Sequence, residues 1–225
     1  MSEQLVLALP HRAAHGADDF LVSECNQEAV KLIDTWPKWP ATAHAIVGPA
    51  GCGKTHLANV WLCGSGTQRM DQDQIASFEA LDAASPAGVL VEDLDQLGVE
   101  ERGLFHLLNL AAERGFGILL TARQRPSAWH VGLADLASRL RSIPVTEIGE
   151  PDDDLLRAVL LKQFLDRQLN VEPQVIAYLA TRMERSMESA RRLVDAVDKA
   201  ALSKGRRITR QLASQIMAEI DPQQS

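Results

Sequence analysis

No uninterrupted apolar run in the sequence approaches the ~20 residues a membrane helix needs, so no membrane contact is expected. The opening stretch, MSEQLVLALPHRAAHG, places an acid where a secretion signal needs positive charge, and its apolar run is short. Cysteine is scarce. Cys25, Cys52 and Cys63 are odd in number and show neither a CxxC nor a metal-ligand spacing, so reduced thiols in a cytoplasmic protein are expected. An excess of positive charge is also lacking. The formal net charge of −7 argues against a chain that embraces nucleic acid with its whole surface. Internal repeats and low-complexity tracts are absent, and 46% apolar with 24% charged residues excludes a wholly disordered chain.

The 225 residues suit one main domain with a smaller satellite. The division expected is a tail over 1–15, a core over 16–149 and a helical region over 150–225. In the core, AHAIV (centred on 44–47), GVLVED (88–93), GFGILLTA (115–122) and SIPVTEI (142–148) are short apolar strands. Between them, KTHLANVWLC (54–63) and ERGLFHLLNLAAERG (101–115) have helical periodicity, the second ending at a glycine. Strands alternating with helices predict an α/β fold, a parallel sheet with helices on both faces. After Glu150 every segment reads as helix, beginning with PDDDLLRAVLLKQFLDRQL, whose proline and acids suit a helix N-terminus. Charge is uneven as well: 151–225 is net +1, leaving −8 on 1–150, and 182–210 holds nine basic against four acidic residues. A solvated helical face accounts for that cluster, with a phosphate or acidic-partner site as the alternative.

Gly48, Pro49, Ala50, Gly51, Cys52, Gly53, Lys54 and Thr55 satisfy G-x-x-x-x-G-K-[ST] between an expected strand and an expected helix, with His56 following. Gly51 and Gly53 let the backbone curl so that consecutive N–H groups face a phosphate, and the helix start adds positive potential. Lys54 is placed to reach the terminal phosphates of ADP or ATP, and the Thr55 hydroxyl to ligate Mg²⁺. Glu92 and Asp93, at the end of a buried strand, supply the remaining acids: Glu92 for the metal shell, Asp93 to orient an attacking water. Arg139 lies in GLADLASRLR (132–141), where an arginine on a helix end can neutralise a neighbour's phosphate.

The phosphate loop, the acidic strand end, the Ser138-Arg139-Leu140 segment and the C-terminal helices resemble the AAA+ ATPases, in particular the DnaA replication-initiator branch. The resemblance implies an AAA+ P-loop core carrying a small α-helical lid. It covers residues 17 to about 220 and includes neither the initiator's DNA-reading helix-turn-helix nor its N-terminal oligomerisation domain. ADDFLVSECNQEAVKLI (17–33) is similar to that branch's entry segment, which implies an adenine pocket using Phe20, Leu21, Val22 and Asn26. A core and lid of this kind behind a short tail is similar to the Hda-type regulators that inactivate DnaA. In that family a glutamine followed by alternating leucines docks on the polymerase sliding clamp, and Gln4, Leu5, Leu7 and Leu9 match it. Arg139 then stands as the arginine finger acting on DnaA-bound ATP.

Two positions depart from the branch. Its sensor-1 aspartate falls at Arg123, leaving Thr121 as the polar neighbour, and its sensor-2 arginine falls at Glu188, with Arg185 and Arg191 one turn away. Arg191 is the lid residue expected to reach the phosphates. These departures, together with Glu92 in place of aspartate, imply weak or absent intrinsic ATPase activity. The partners implied are the sliding clamp and DnaA. DNA at the basic cluster and a second copy of the chain are further candidates. An autonomous AAA+ loader or remodeller of another replication protein is the alternative function.

Overall fold

The computed structural model describes residues 11–12, 20–63, 66–76, 86–95, 100–204 and 208–220. The clamp-motif residues Gln4, Leu5, Leu7 and Leu9 lie outside them. In chain order the strands are β1 (His11–Arg12), β2 (Phe20–Leu21), β3 (Ala43–Val47), β4 (Thr67–Met70), β5 (Gly88–Val91), β6 (Gly117–Ala122) and β7 (Val145–Glu147). The helices are α1 (Gln27–Asp34), α2 (Lys54–Leu62), α3 (Gln72–Ala76), α4 (Glu101–Arg114), α5 (Ala134–Ser142), α6 (Asp153–Asp166), α7 (Pro173–Ala180), α8 (Met187–Lys204) and α9 (Arg210–Ile220).

The chain divides into two compact units, one containing Asn26–Gly149 and the other Leu21–Cys25 with the stretch that begins at Glu150. In the first, β3, β5 and β6 are apolar apart from His44 and Thr121, which requires cover on both faces, and all three are fully buried. The sheet order is β4-β5-β6-β3-β7, and every neighbouring pair is parallel. One face sends Val89, Val91, Ile118 and Leu120 into a core with Leu104, Leu107 and Leu108 of α4 and Leu136 and Leu140 of α5. The residues between them, Leu90 and Leu119, face the other way. On that side α2 packs on β4 and β6 and buries Leu57 and Trp61.

α4 starts where the Glu100 side chain accepts a hydrogen bond from the Gly103 N–H (2.6 Å) and stops at Gly115, which turns left-handed with φ 78°. Two sequence expectations need adjustment. The strand expected over 142–148 is shorter, because Ser142 completes α5 with its hydroxyl donating to the Arg139 carbonyl at 2.7 Å. The edge strand β4, TQRM, was not expected from a segment that reads as polar.

The second unit is helical. Asp152 caps α6 by accepting the Leu155 N–H at 2.7 Å, as the acid-rich start predicts. Leu156, Leu160, Phe164, Leu179, Val194 and Leu212 belong to one apolar cluster drawn from α6, α7, α8 and α9.

Candidate nucleotide site

The loop from β3 to α2 has the backbone that its glycines demand. Gly51 and Gly53 sit at φ 71° and 106°, and a side chain on Gly48 would strike the Ile148 carbonyl and come within 2.9 Å of the Cys52 sulfur. Gly53 is the N-cap of α2 and has no side chain to cap it, so the first-turn N–H groups remain available to a ligand. Lys54 is 6% exposed, and its ammonium donates to the carbonyls of Gly48 (2.8 Å) and Pro49 (2.9 Å), with the Cys52 sulfur at 3.9 Å. A buried cation held by carbonyls alone is electrostatically incomplete, and an anion at the loop would complete it. Thr55 is exposed at the start of the same helix, as are Pro49 and Ala50 in the loop.

The next residue, His56, stacks on Phe20 with ring centroids 5.3 Å apart and planes 18° from parallel. Asn26 is buried at the start of α1, its carbonyl accepting the Val30 N–H at 3.0 Å. Phe20 and Asn26 thus belong to the unit that holds the phosphate loop, whereas Leu21 and Val22, both half-buried, belong to the helical unit. In that unit, burial pushes the Cys25 thiol above its usual pKa, and the Ser23 hydroxyl 3.0 Å away partly offsets it.

At the end of β5 the acids take distinct roles. Glu92 is paired through Oε2 with Arg69 of β4 at 3.0 Å, and its Oε1 is buried without a partner. Asp93 has a left-handed φ of 51°, and its N–H donates to the Thr121 hydroxyl at 3.2 Å. Thr121, wholly buried in β6, therefore orients the turn that carries Asp93. Asp95 accepts the backbone N–H groups of Arg123 and Gln124, each at 2.9 Å, tying this turn to the one after β6. Sequence reasoning passed over Arg69, Asp95 and Glu101. The only signal for Asp95 was its place in the Glu92-Asp93-Leu94-Asp95 run.

Arg139 is exposed on α5, its guanidinium lying 5.2 Å from the Phe105 ring of α4. Glu101, at the start of α4, accepts the Gly132 and Leu133 N–H groups at 2.7 and 2.8 Å, just before α5. Arg191 is exposed on α8 in the helical unit, six residues after Arg185, which precedes that helix and pairs with Asp153 at 2.6 Å.

Comparison with known proteins agrees with this architecture. A family model described as "Hda, lid domain" matches residues 152–217. An uncharacterised protein of Haemophilus influenzae is 30% identical over 176 residues, covering 73% of this chain and 76% of that protein. Domain III of the Thermotoga maritima replication initiation protein DnaA superposes with a TM-score of 0.76 at 17% identity, over 89% of this chain and 94% of that one. AMPPCP-bound DnaA from Aquifex aeolicus gives 0.66 at 20% identity, over 90% and 70% respectively. A parallel sheet in this order, a complete phosphate loop, an Hda lid and a DnaA-like core converge on one assignment: the chain belongs to the Hda-type, DnaA-related AAA+ family.

Proposed function

We propose that this protein is a nucleotide-bound regulator of replication initiation that docks on the polymerase sliding clamp and stimulates hydrolysis of DnaA-bound ATP. The observation that carries the proposal is Arg139. Its guanidinium is exposed, rests on Phe105, and has no carboxylate partner among the described residues. An arginine so presented is always charged and can clamp two oxygens of a phosphoryl group on another subunit.

The protein's own site is read as holding ADP or ATP through Gly48–His56, with Lys54 on the terminal phosphates and Phe20 and His56 beside the base. AMPPCP in the Aquifex aeolicus DnaA structure supports an adenine nucleotide as the ligand. Magnesium fits the acids present: the partnerless Glu92 Oε1 can accept from a metal-bound water, and Thr55 is exposed at the start of α2. When bound, the metal screens phosphate charge and orients the phosphoryl oxygens. Intrinsic turnover is expected to be weak, since Glu92 is engaged by Arg69 and the Thr121 hydroxyl by the Asp93 backbone.

The test is DnaA–ATP turnover measured with clamp-loaded DNA, with and without this protein. Wild type and Arg141→Ala should accelerate turnover. Arg139→Ala should lose the acceleration while keeping ADP and clamp binding; fingers of this kind elsewhere are worth ~10³–10⁵ in rate. Full stimulation by Arg139→Ala rejects the finger. Vigorous hydrolysis by this protein alone favours the loader or remodeller instead.

A further inference from the structure

The three acids that follow β5, Glu92, Asp93 and Asp95, gather negative charge at the same end of the parallel sheet as the phosphate loop that follows β3, with β6 between the two strands. Only one of them pairs with a cation among the described residues: Arg69 Nη2 lies 3.0 Å from Glu92 Oε2. The same nitrogen donates to Asn59 Oδ1 at 2.5 Å, so the guanidinium is held between β5 and α2, the helix that Lys54 begins. Arg69 stands opposite Leu90 in the ladder of β4 and β5, and its side chain reaches along the sheet to the acid two residues on. Glutamate has one methylene more than the aspartate usual at this position, which extends its carboxylate toward that guanidinium.

An exposed ion pair would do little beyond tidying a sheet edge. This pair differs on the acid's side: the Glu92 side chain is only 13% exposed, against 48% for Arg69, and its other oxygen is buried and partnerless. We propose that Arg69 is a built-in counter-charge for the metal-side acid, neutralising Glu92 so that nucleotide binding depends only weakly on a divalent cation. The proposal rests on the nucleotide-site reading given above. In most phosphate-loop sites the metal offsets the repulsion between the strand-end acid and the phosphates. Here the guanidinium already offsets part of it. Arg69 is thus a residue that sets the site's cation requirement, not one that reacts.

The experiment is calorimetric ADP binding in excess Mg²⁺ and in EDTA, for wild type, Arg69→Gln and Arg69→Lys. Wild-type affinity should change by less than about threefold between the two buffers. Arg69→Gln removes the charge but keeps a side chain able to reach Asn59; its EDTA affinity should fall roughly tenfold, the scale of one unit charge at a partly buried site. Its affinity in Mg²⁺ should stay near wild type. Arg69→Lys, which keeps the charge, should behave like wild type and separates electrostatics from packing. An Arg69→Gln protein with the wild-type EDTA-to-Mg²⁺ ratio overturns the proposal, as does a wild type that itself loses tenfold in EDTA. Failure of wild type to bind ADP in either buffer takes down the nucleotide-site reading as well.

Discussion

Lys54 is buried with two backbone carbonyls for company, an arrangement that costs stability unless an anion completes it. On the proposed reading, phosphate is the partner its position serves, rather than packing. Lys54→Ala should abolish measurable ADP binding and leave unfolding stability unimpaired; calorimetric affinity equal to wild type would contradict this. His44 is the opposite case. It lies in β3 beneath Trp39, with its Nε2 buried and partnerless, and burial lowers its pKa from 6.5. The folded state keeps the ring neutral while the unfolded chain takes up a proton. His44 thus has no destabilising effect of this kind above pH 6.5, and stability falls as pH drops below that value. The slope is at most about 1.4 kcal/mol per pH unit for one proton. Urea unfolding at pH 5, 6 and 7.5 should show a flatter dependence for His44→Leu than for wild type. Parallel losses would assign the effect to another group.

Among the elements, α4 governs how α5 is presented. Glu101 clamps the backbone immediately before α5, and Phe105, one turn further along α4, supports the Arg139 guanidinium. Hydrogen bonds to a charged group are worth about 1.5–3 kcal/mol each when well formed, and less where water competes as it does here. Glu101→Ala should therefore reduce stimulation of DnaA–ATP turnover by at least tenfold, while ADP affinity through the phosphate loop, to which Glu101 makes no hydrogen bond, stays unchanged. Equal loss of both would mark Glu101 as a residue of general stability. Its contacts span more than thirty positions in sequence, which is why no local pattern revealed them. The phosphate loop, by contrast, was legible because its chemistry is contained in eight consecutive residues. The buried strands β3, β5 and β6 were legible for a similar reason, being short apolar runs interrupted only by His44 and Thr121. β4 was hidden because an edge strand needs apolar residues on neither rim, and Arg69 with it.

At the scale of the whole molecule, the proposed regulator has to touch two partners, DnaA and the clamp. Leu5, Leu7 and Leu9 alternate in a segment outside the described residues, and an extended chain would turn them to one side, as a shallow apolar groove requires. Each can contribute ~1.5–3 kcal/mol on full burial, but ordering a free tail costs ~1–2 kcal/mol per residue. Moderate affinity, raised by simultaneous contact elsewhere, is the expected result. Gln4→Ala with Leu7→Ala should lose clamp capture in a pull-down and keep the thermal unfolding profile. Undiminished capture would remove the docking motif, and a collapsed profile would assign the leucines to the protein's own core.

The packing of Trp36, Trp39 and Trp61, with ring centroids 4.6–5.5 Å apart, has an optical consequence. Indoles this close couple electronically and exchange excitation, so near-ultraviolet dichroism and emission report on the cluster as one chromophore. Trp61 belongs to α2, seven residues beyond Lys54, which ties that signal to the helix that follows the phosphate-loop motif. Trp129, the fourth tryptophan, lies in the same α/β unit, whereas the single tyrosine, Tyr178, lies in the helical one. Excitation at wavelengths that only indole absorbs therefore observes the sheet unit alone: the chain carries an intrinsic reporter on one unit and no indole on the other.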